Sequence, residues 1–229
     1  MKPAANARTA ILAALPREVA PLVRTWPMRT ISHREGTSLW ENDRAIVVCA
    51  GMGRERVTRA LELAESRGRL DSVISVGYAG ALRVGMEMNQ AYWPATVLDE
   101  QTGERFACED GEGTLVTTDH AVGREEKLTL AARWNADLVD METAAVARLA
   151  NIRGLPFRAL RAISDRVDDN VPDLSRFTDE RGGFREGAFA MYVALHPWLI
   201  PTAMQLGRQS AQASRAIVQA LHRFLQQAE

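Results

Sequence analysis

The residue types that acid–base or anion-binding chemistry needs fall in five short segments of this 229-residue chain. Asp165 closes the apolar run FRALRAIS, where a carboxylate is paired with a cation, solvated in a cleft, or kept protonated by burial. In the last state it can donate to a leaving group. Glu18 follows Pro16 and Arg17, and is either a surface residue of a first helical turn or a base held over a site. Asp140-Met141-Glu142 puts two carboxylates at a strand-to-helix junction, where they either favour the helix N-terminus through its dipole or face a ligand. GMGRER (51–56) begins like a dinucleotide fingerprint, but Arg56 stands where the third glycine belongs. The segment is then a structural turn, or one whose backbone N–H groups near Gly53 contact a smaller phosphate- or ribose-bearing ligand. Gly77-Tyr78-Ala79-Gly80 reads as a closure after an apolar run.

These segments need elements to hold them. Thr9–Leu15 reads as a strand that stops at Pro16, a residue suited to the first turn of the helix that follows. Ser38–Trp40 and Ala45–Cys49 read as strands around a turn at Asn42-Asp43. Val57, Ala60, Leu61 and Ala64 form one helical stripe that should end near Gly68, and Asp71–Val76 reads as a buried strand. Further strands are expected at Ala91–Leu98, Thr114–Thr117, Leu138–Met141 and Phe157–Ile163, with Asp99–Gly113 rich in loops. Helices are expected over Glu125–Trp134, through Ala145, Val146, Leu149 and Ala150, and at the C-terminus with Ile217, Leu221, Phe224 and Leu225 on one face. This alternation specifies an α/β fold around a sheet with much parallel pairing, in which ligands bind beyond the carboxyl ends of strands. The five segments lie at such ends.

Composition sets the outer limits. With 46% hydrophobic and 25% charged residues, the chain matches a globular protein and not a disordered, collagenous or disulfide-built one. A single domain over residues 1–229 is expected. Net charge of −1 gives no global field toward nucleic acid or anionic membrane. Only Cys49 and Cys108 could pair, no zinc spacing occurs, and the N-terminal stretch lacks a signal-peptide pattern, so a cytoplasmic address is expected. Arginine outnumbers lysine 26 to 2, with Lys2 and Lys127 the two lysines, which reads as compositional bias.

In the order ILAALPREV (11–19), CAGMG (49–53), VGYAGAL (76–82), VDMETAAVARLA (139–150) and PFRALRAISD (156–165), the chain resembles the superfamily of purine nucleoside phosphorylases and methylthioadenosine/S-adenosylhomocysteine nucleosidases. The blocks VDMETAAVA and RAISD are the specific part. A compact middle segment containing TTDHAV and Glu126-Lys127 is most similar to the short bacterial branch that includes hopanoid-associated phosphorylases.

The resemblance implies a mixed central sheet flanked by helices and cleavage of the N-glycosidic bond of a purine nucleoside or thionucleoside, with adenine as the expected base and no metal or organic cofactor. By position, Asp165 would protonate the departing purine at N7 with Ser164 holding it. Glu142 would bind ribose hydroxyls and face the oxocarbenium-like sugar, Met141 would pack on the sugar, and Glu18 would activate water. Tyr78, Ala79 and Gly80 would lie near ribose and base, and Gly53 near the ligand. Water is the expected acceptor; phosphorolysis giving ribose 1-phosphate is the alternative, and a non-catalytic nucleoside-binding protein the second. A homo-oligomer, a dimer first, is implied. The chain departs from the family pattern at Tyr78, where a small Ser or Thr is usual. No full phosphate-binding pattern surrounds Arg17, Arg54 and Arg83. Tyr92, Trp93 and Phe106 are either substitutes for base-stacking aromatics or core residues, and Asp119 and His120 either line the site or sit on an exposed turn.

Overall fold

The computed structural model describes residues 8–24, 26, 33–34, 37–51, 54–88, 90–169, 192, 196 and 200–227. In chain order these form β1 (Arg8–Ala13), α1 (Pro16–Val23), β2 (His33–Arg34), β3 (Thr37–Glu41), β4 (Ala45–Cys49), α2 (Arg54–Glu65), β5 (Leu70–Ala81) and β6 (Ala91–Tyr92). There follow β7 (Thr96–Asp99), β8 (Arg105–Ala107), β9 (Thr114–Thr117), α3 (Arg124–Trp134), β10 (Leu138–Asp140), α4 (Thr143–Ile152), β11 (Phe157–Asp165) and α5 (Ile200–Gln227). All eleven strands belong to one mixed sheet, ordered β2-β3-β4-β1-β5-β10-β9-β7-β8, with β11 joining β5 and β6 off that path. Among the described residues no helix is long and apolar enough to cross a membrane.

Side chains alternate across each strand, so neighbouring residues feed opposite layers. Ala10 and Leu12 of β1 join the layer built from the Val57, Ala60, Leu61 and Ala64 stripe of α2 and the alanines of α4. Ile11 and Ala13 face the other way, toward Val19, Leu22 and Val23 of α1 and Ala213, Ile217 and Leu221 of α5. A smaller cluster of Leu82, Leu98, Val116, Leu130 and Val139 sits beneath α3.

Two features of the sheet correct the sequence reading. β5 does not turn at Gly77–Gly80: it continues in parallel register with β11 through Tyr78↔Ala162 and Ala79↔Ile163, and pairs antiparallel with β10 at Gly80 and Ala81. The glycines signal crowding, not a bend, as the site makes plain. The single strand expected over Ala91–Leu98 is two, because Pro94 cannot donate to a ladder and the chain leaves β11 to pair with β8 and β9. Within the expected loop, Arg105–Ala107 forms β8 against β7. Cys49 and Cys108 are both free thiols.

Candidate active site

Glu18 enters the site because of how α1 starts. Pro16 occupies the first turn, and Glu18 Oε2 accepts the Leu15 N–H at 2.9 Å, which folds the carboxylate back toward the end of β1. The side chain is buried, and burial is the largest influence on its acidity, raising its pKa above the ordinary value; the Leu15 N–H, Arg161 and Arg17 oppose the rise. A Cβ on Gly77 would lie 3.3 Å from Glu18 Oε1 and 3.7 Å from the Arg161 guanidinium. Glycine at 77 therefore leaves room for a carboxylate and a guanidinium to approach β5 together.

Asp140 and Glu142 divide the work at the start of α4. Asp140 is nearly inaccessible and holds the helix N-terminus, accepting the Thr143 N–H at 3.2 Å and the Thr117 hydroxyl at 2.7 Å. Arg161 closes this group. Its Nη2 forms a 2.8 Å ion pair with Asp140, donates to Ser75 Oγ at 2.7 Å and contacts Thr143 Oγ1; its Nη1 donates to the carbonyls of Ser75 and Leu160 at 2.9 and 2.8 Å. Glu142 is the helix N-cap by position but makes no capping bond, and it lines a cavity of about 30 Å³ with Glu18, Tyr78, Gly51, Arg56, Ser75, Gly77 and Arg161. The first acid of the DME block is thus structural, and the second borders the cavity.

Tyr78 occupies one wall of that cavity and is anchored outside it. Its hydroxyl lies 2.7 Å from Ser214 Oγ on α5, and Ser214 in turn donates to the Arg17 carbonyl at 2.8 Å. That carbonyl is left over by Pro21, which has no N–H to give to the residue four positions earlier. The Arg17 guanidinium lies 6.0 Å from the phenol ring centre.

Asp165 does not line the same cavity. It sits at the end of β11 opposite Gly80, with Ser164 Oγ donating to Oδ1 at 2.6 Å and Lys127 of α3 on Oδ2. Ser164 also lies 3.4 Å from the Ala79 carbonyl, and Lys127 donates to the Arg166 carbonyl at 2.8 Å. Of the three environments open to Asp165, the structure selects pairing with a cation. Gly80 makes space for it: a Cβ there would lie 3.0 Å from Asp165 Oδ2 and 3.2 Å from Lys127 Cε.

The expected residues thus fall into two neighbouring groups, Glu18 of α1, Tyr78 of β5 and Glu142 before α4 at the cavity, and Ala79, Gly80, Ser164 and Asp165 of β5 and β11 around Lys127. Met141 is half-buried between Asp140 and Glu142, and Gly53 lies outside the described residues. Arg83 is bound to Asp137 and Asn135, and the Arg54 side chain lies outside the described residues. Tyr92, Trp93 and Phe106 pack on the core, Trp93 against Phe224 with ring centres 5.8 Å apart. Asp119 and His120 are exposed, the imidazole reaching Asp119 Oδ1 at 2.6 Å and Glu126 Oε1 at 2.9 Å, and the Asp119 bond is the main influence raising the His120 pKa. Sequence reasoning missed Arg161 and Lys127. The available signal for Lys127 was its rarity, a lysine in a chain that otherwise uses arginine.

Residues 101–191 match the family model described as the phosphorylase superfamily. No curated relative matches the chain by sequence. Among solved structures, the fold is similar to that of 5′-methylthioadenosine/S-adenosylhomocysteine nucleosidase from Colwellia psychrerythraea in complex with adenine, with TM-score 0.72, 17% identity, and coverage of 96% of this chain and 95% of that one. The Helicobacter pylori nucleosidase gives TM-score 0.71 at 16% identity, and H. pylori futalosine hydrolase 0.70 at 17%, each covering 96% of this chain and 98% of the other. The chain thus shares the nucleosidase fold along its length, and its residues 101–191 are similar to the phosphorylase superfamily.

Proposed function

We propose that the protein cleaves the N-glycosidic bond of a purine nucleoside or thionucleoside, adenine being the expected base, with water as the nucleophile. The observation that carries this reading is the cavity of about 30 Å³ beside buried Glu18. A water needs roughly 10–15 Å³ of such space and two or more polar partners, so the cavity beside Glu18 suits one or two waters. Tyr78 forms one wall of it, and the bonds that Arg161 makes to Asp140, Ser75 and Leu160 commit that guanidinium to the scaffold.

In this reading Glu18 takes a proton from water as the water meets C1′ of the ribose. Glu142 bonds the ribose hydroxyls and sets negative charge near the oxocarbenium-like sugar, Met141 packs on the sugar, and Asp165, steadied by Ser164, delivers a proton to N7. Ala79 and Gly80 floor the ribose and base, and Gly53 contributes backbone N–H groups. The enzyme needs no cofactor, acts in the cytoplasm and works as a homo-oligomer, a dimer first.

Chromatography of methylthioadenosine, S-adenosylhomocysteine, adenosine, inosine and uridine, each with and without phosphate, tests the proposal. Adenine release that is independent of phosphate and lost in Asp165→Asn is expected. Strict phosphate dependence with ribose 1-phosphate as product would replace hydrolysis by phosphorolysis, and ligand binding without base release would mark a binding protein.

Tyr78→Ser enlarges the cavity by most of a phenol ring. The loosened water should lower kcat for hydrolysis by roughly 10- to 100-fold, the scale of a small misplacement of a reactant. Added phosphate should then produce measurable ribose 1-phosphate, which a retained strictly hydrolytic product ratio would contradict.

A further inference from the structure

Among the described residues two cations are buried, and they are built differently. Arg161 is locked by a full set of donors on Asp140, Ser75, Thr143 and two carbonyls. Lys127, with only 3% of its side chain exposed, has two partners, the Asp165 carboxylate and the Arg166 carbonyl. Asp165 itself is 19% exposed, so it stands between the buried ammonium and the open side of the site. In a chain with 26 arginines, this position holds one of two lysines. The chemical difference is decisive: a guanidinium keeps its proton under all working conditions, whereas an ammonium can give one up.

We propose that Lys127 is the proton source for the leaving base, acting through Asp165; the proposal rests on the N-ribosidase reading above. An ionised Asp165 cannot by itself protonate a purine. In the step assigned here, a Lys127 N–H proton passes to the Asp165 carboxylate, Asp165 hands that same proton to N7, and the C1′–N9 bond breaks with its electron pair going to N9. The ribosyl cation takes water, and one water proton goes to Glu18. The products are ribose and the neutral purine, with Lys127 left as an amine and Glu18 as an acid. Exchange with solvent restores both. Lys127 touches no substrate: it is a positioning and proton-supplying residue that works through Asp165.

The test compares two leaving groups. Methylthioadenosine needs a proton at N7, whereas 4-nitrophenyl β-D-ribofuranoside releases a stable nitrophenolate that needs none. Lys127→Met should lower kcat for methylthioadenosine by about 100-fold or more, the usual scale of a lost general acid, and leave nitrophenol release close to wild type. Nitrophenol release also reports that the variant is folded. Lys127→Arg keeps the charge and the partner for Asp165 but withholds the proton, so it should remain as poor on methylthioadenosine as the methionine variant. Equal losses on both substrates, or restored purine cleavage in Lys127→Arg, would assign Lys127 a purely structural or electrostatic role and overturn the proposal. A wild-type protein that cleaves neither substrate would instead remove the N-ribosidase reading, and this one with it.

Discussion

Glu18→Gln is expected to lower kcat for base release by about 100- to 10,000-fold, the range of a general base that acts in the transition state. The amide keeps an oxygen for the Leu15 N–H, so α1 should start as before. If phosphate were the nucleophile it would arrive already anionic, and the same variant would spare much of the turnover. The pH dependence adds a second check. Burial raises the Glu18 pKa, so the acidic limb of kcat/KM should lie at higher pH than an ordinary carboxylate would give. The same shift acts on stability. The native protein binds the Glu18 proton more tightly than the unfolded chain, which releases it near the ordinary value of 4.5. Stability from this group is therefore complete below that value and is lost as pH rises through the raised native one. Glutamine does not titrate. Thermal unfolding across that window should show Glu18→Gln gaining on wild type as pH rises; a constant difference would mean that Glu18 is not buried as an acid.

Arg161→Met should produce the largest loss of stability. Both members of the Arg161–Asp140 pair are 2% exposed, and removing one partner strands a buried carboxylate, at a cost of about 3–5 kcal/mol. For a chain of this size that corresponds to a fall in Tm of roughly 6–20 °C. Asp140 would keep Thr117 and the Thr143 N–H, so the α4 cap persists in part. Combining Arg161→Met with Asp140→Asn removes the stranded charge and should recover part of the loss in calorimetry. If the double variant is less stable than the single by the full cost of Asp140→Asn, the pair is not coupled. Activity should change as well, because Arg161 is one of the charges that hold down the Glu18 pKa. Its removal should move the acidic limb of kcat/KM further upward.

Local signals and tertiary pairings contributed differently to what could be read in the chain. Pro16 at a helix start, the Val57–Ala64 stripe, the apolar strands and the helix after Glu142 are patterns within a few residues, and backbone geometry forces such patterns into the elements observed. The order of the five motifs likewise carried the fold. The glycines at 77 and 80 were legible as special positions but not as strand positions, since a glycine permits a turn and a close approach equally well. Only the sheet decides between these, by bringing Glu18 and Arg161 to one and Asp165 and Lys127 to the other.

The division of the Asp140 and Glu142 carboxylates was also undecidable locally, because both sit at the same helix start. It is settled by Arg161, 21 residues away from Asp140, and by a hydroxyl from Thr117, 23 residues away. Lys127 and Asp165 are separated by 38 residues and meet because α3 and β11 flank the end of β5. By itself the sequence determined the elements, their order and the acids available for chemistry. Which acid is buried, which is capped and which is paired depends on neighbours that no local spacing encodes, and the tertiary structure decided it.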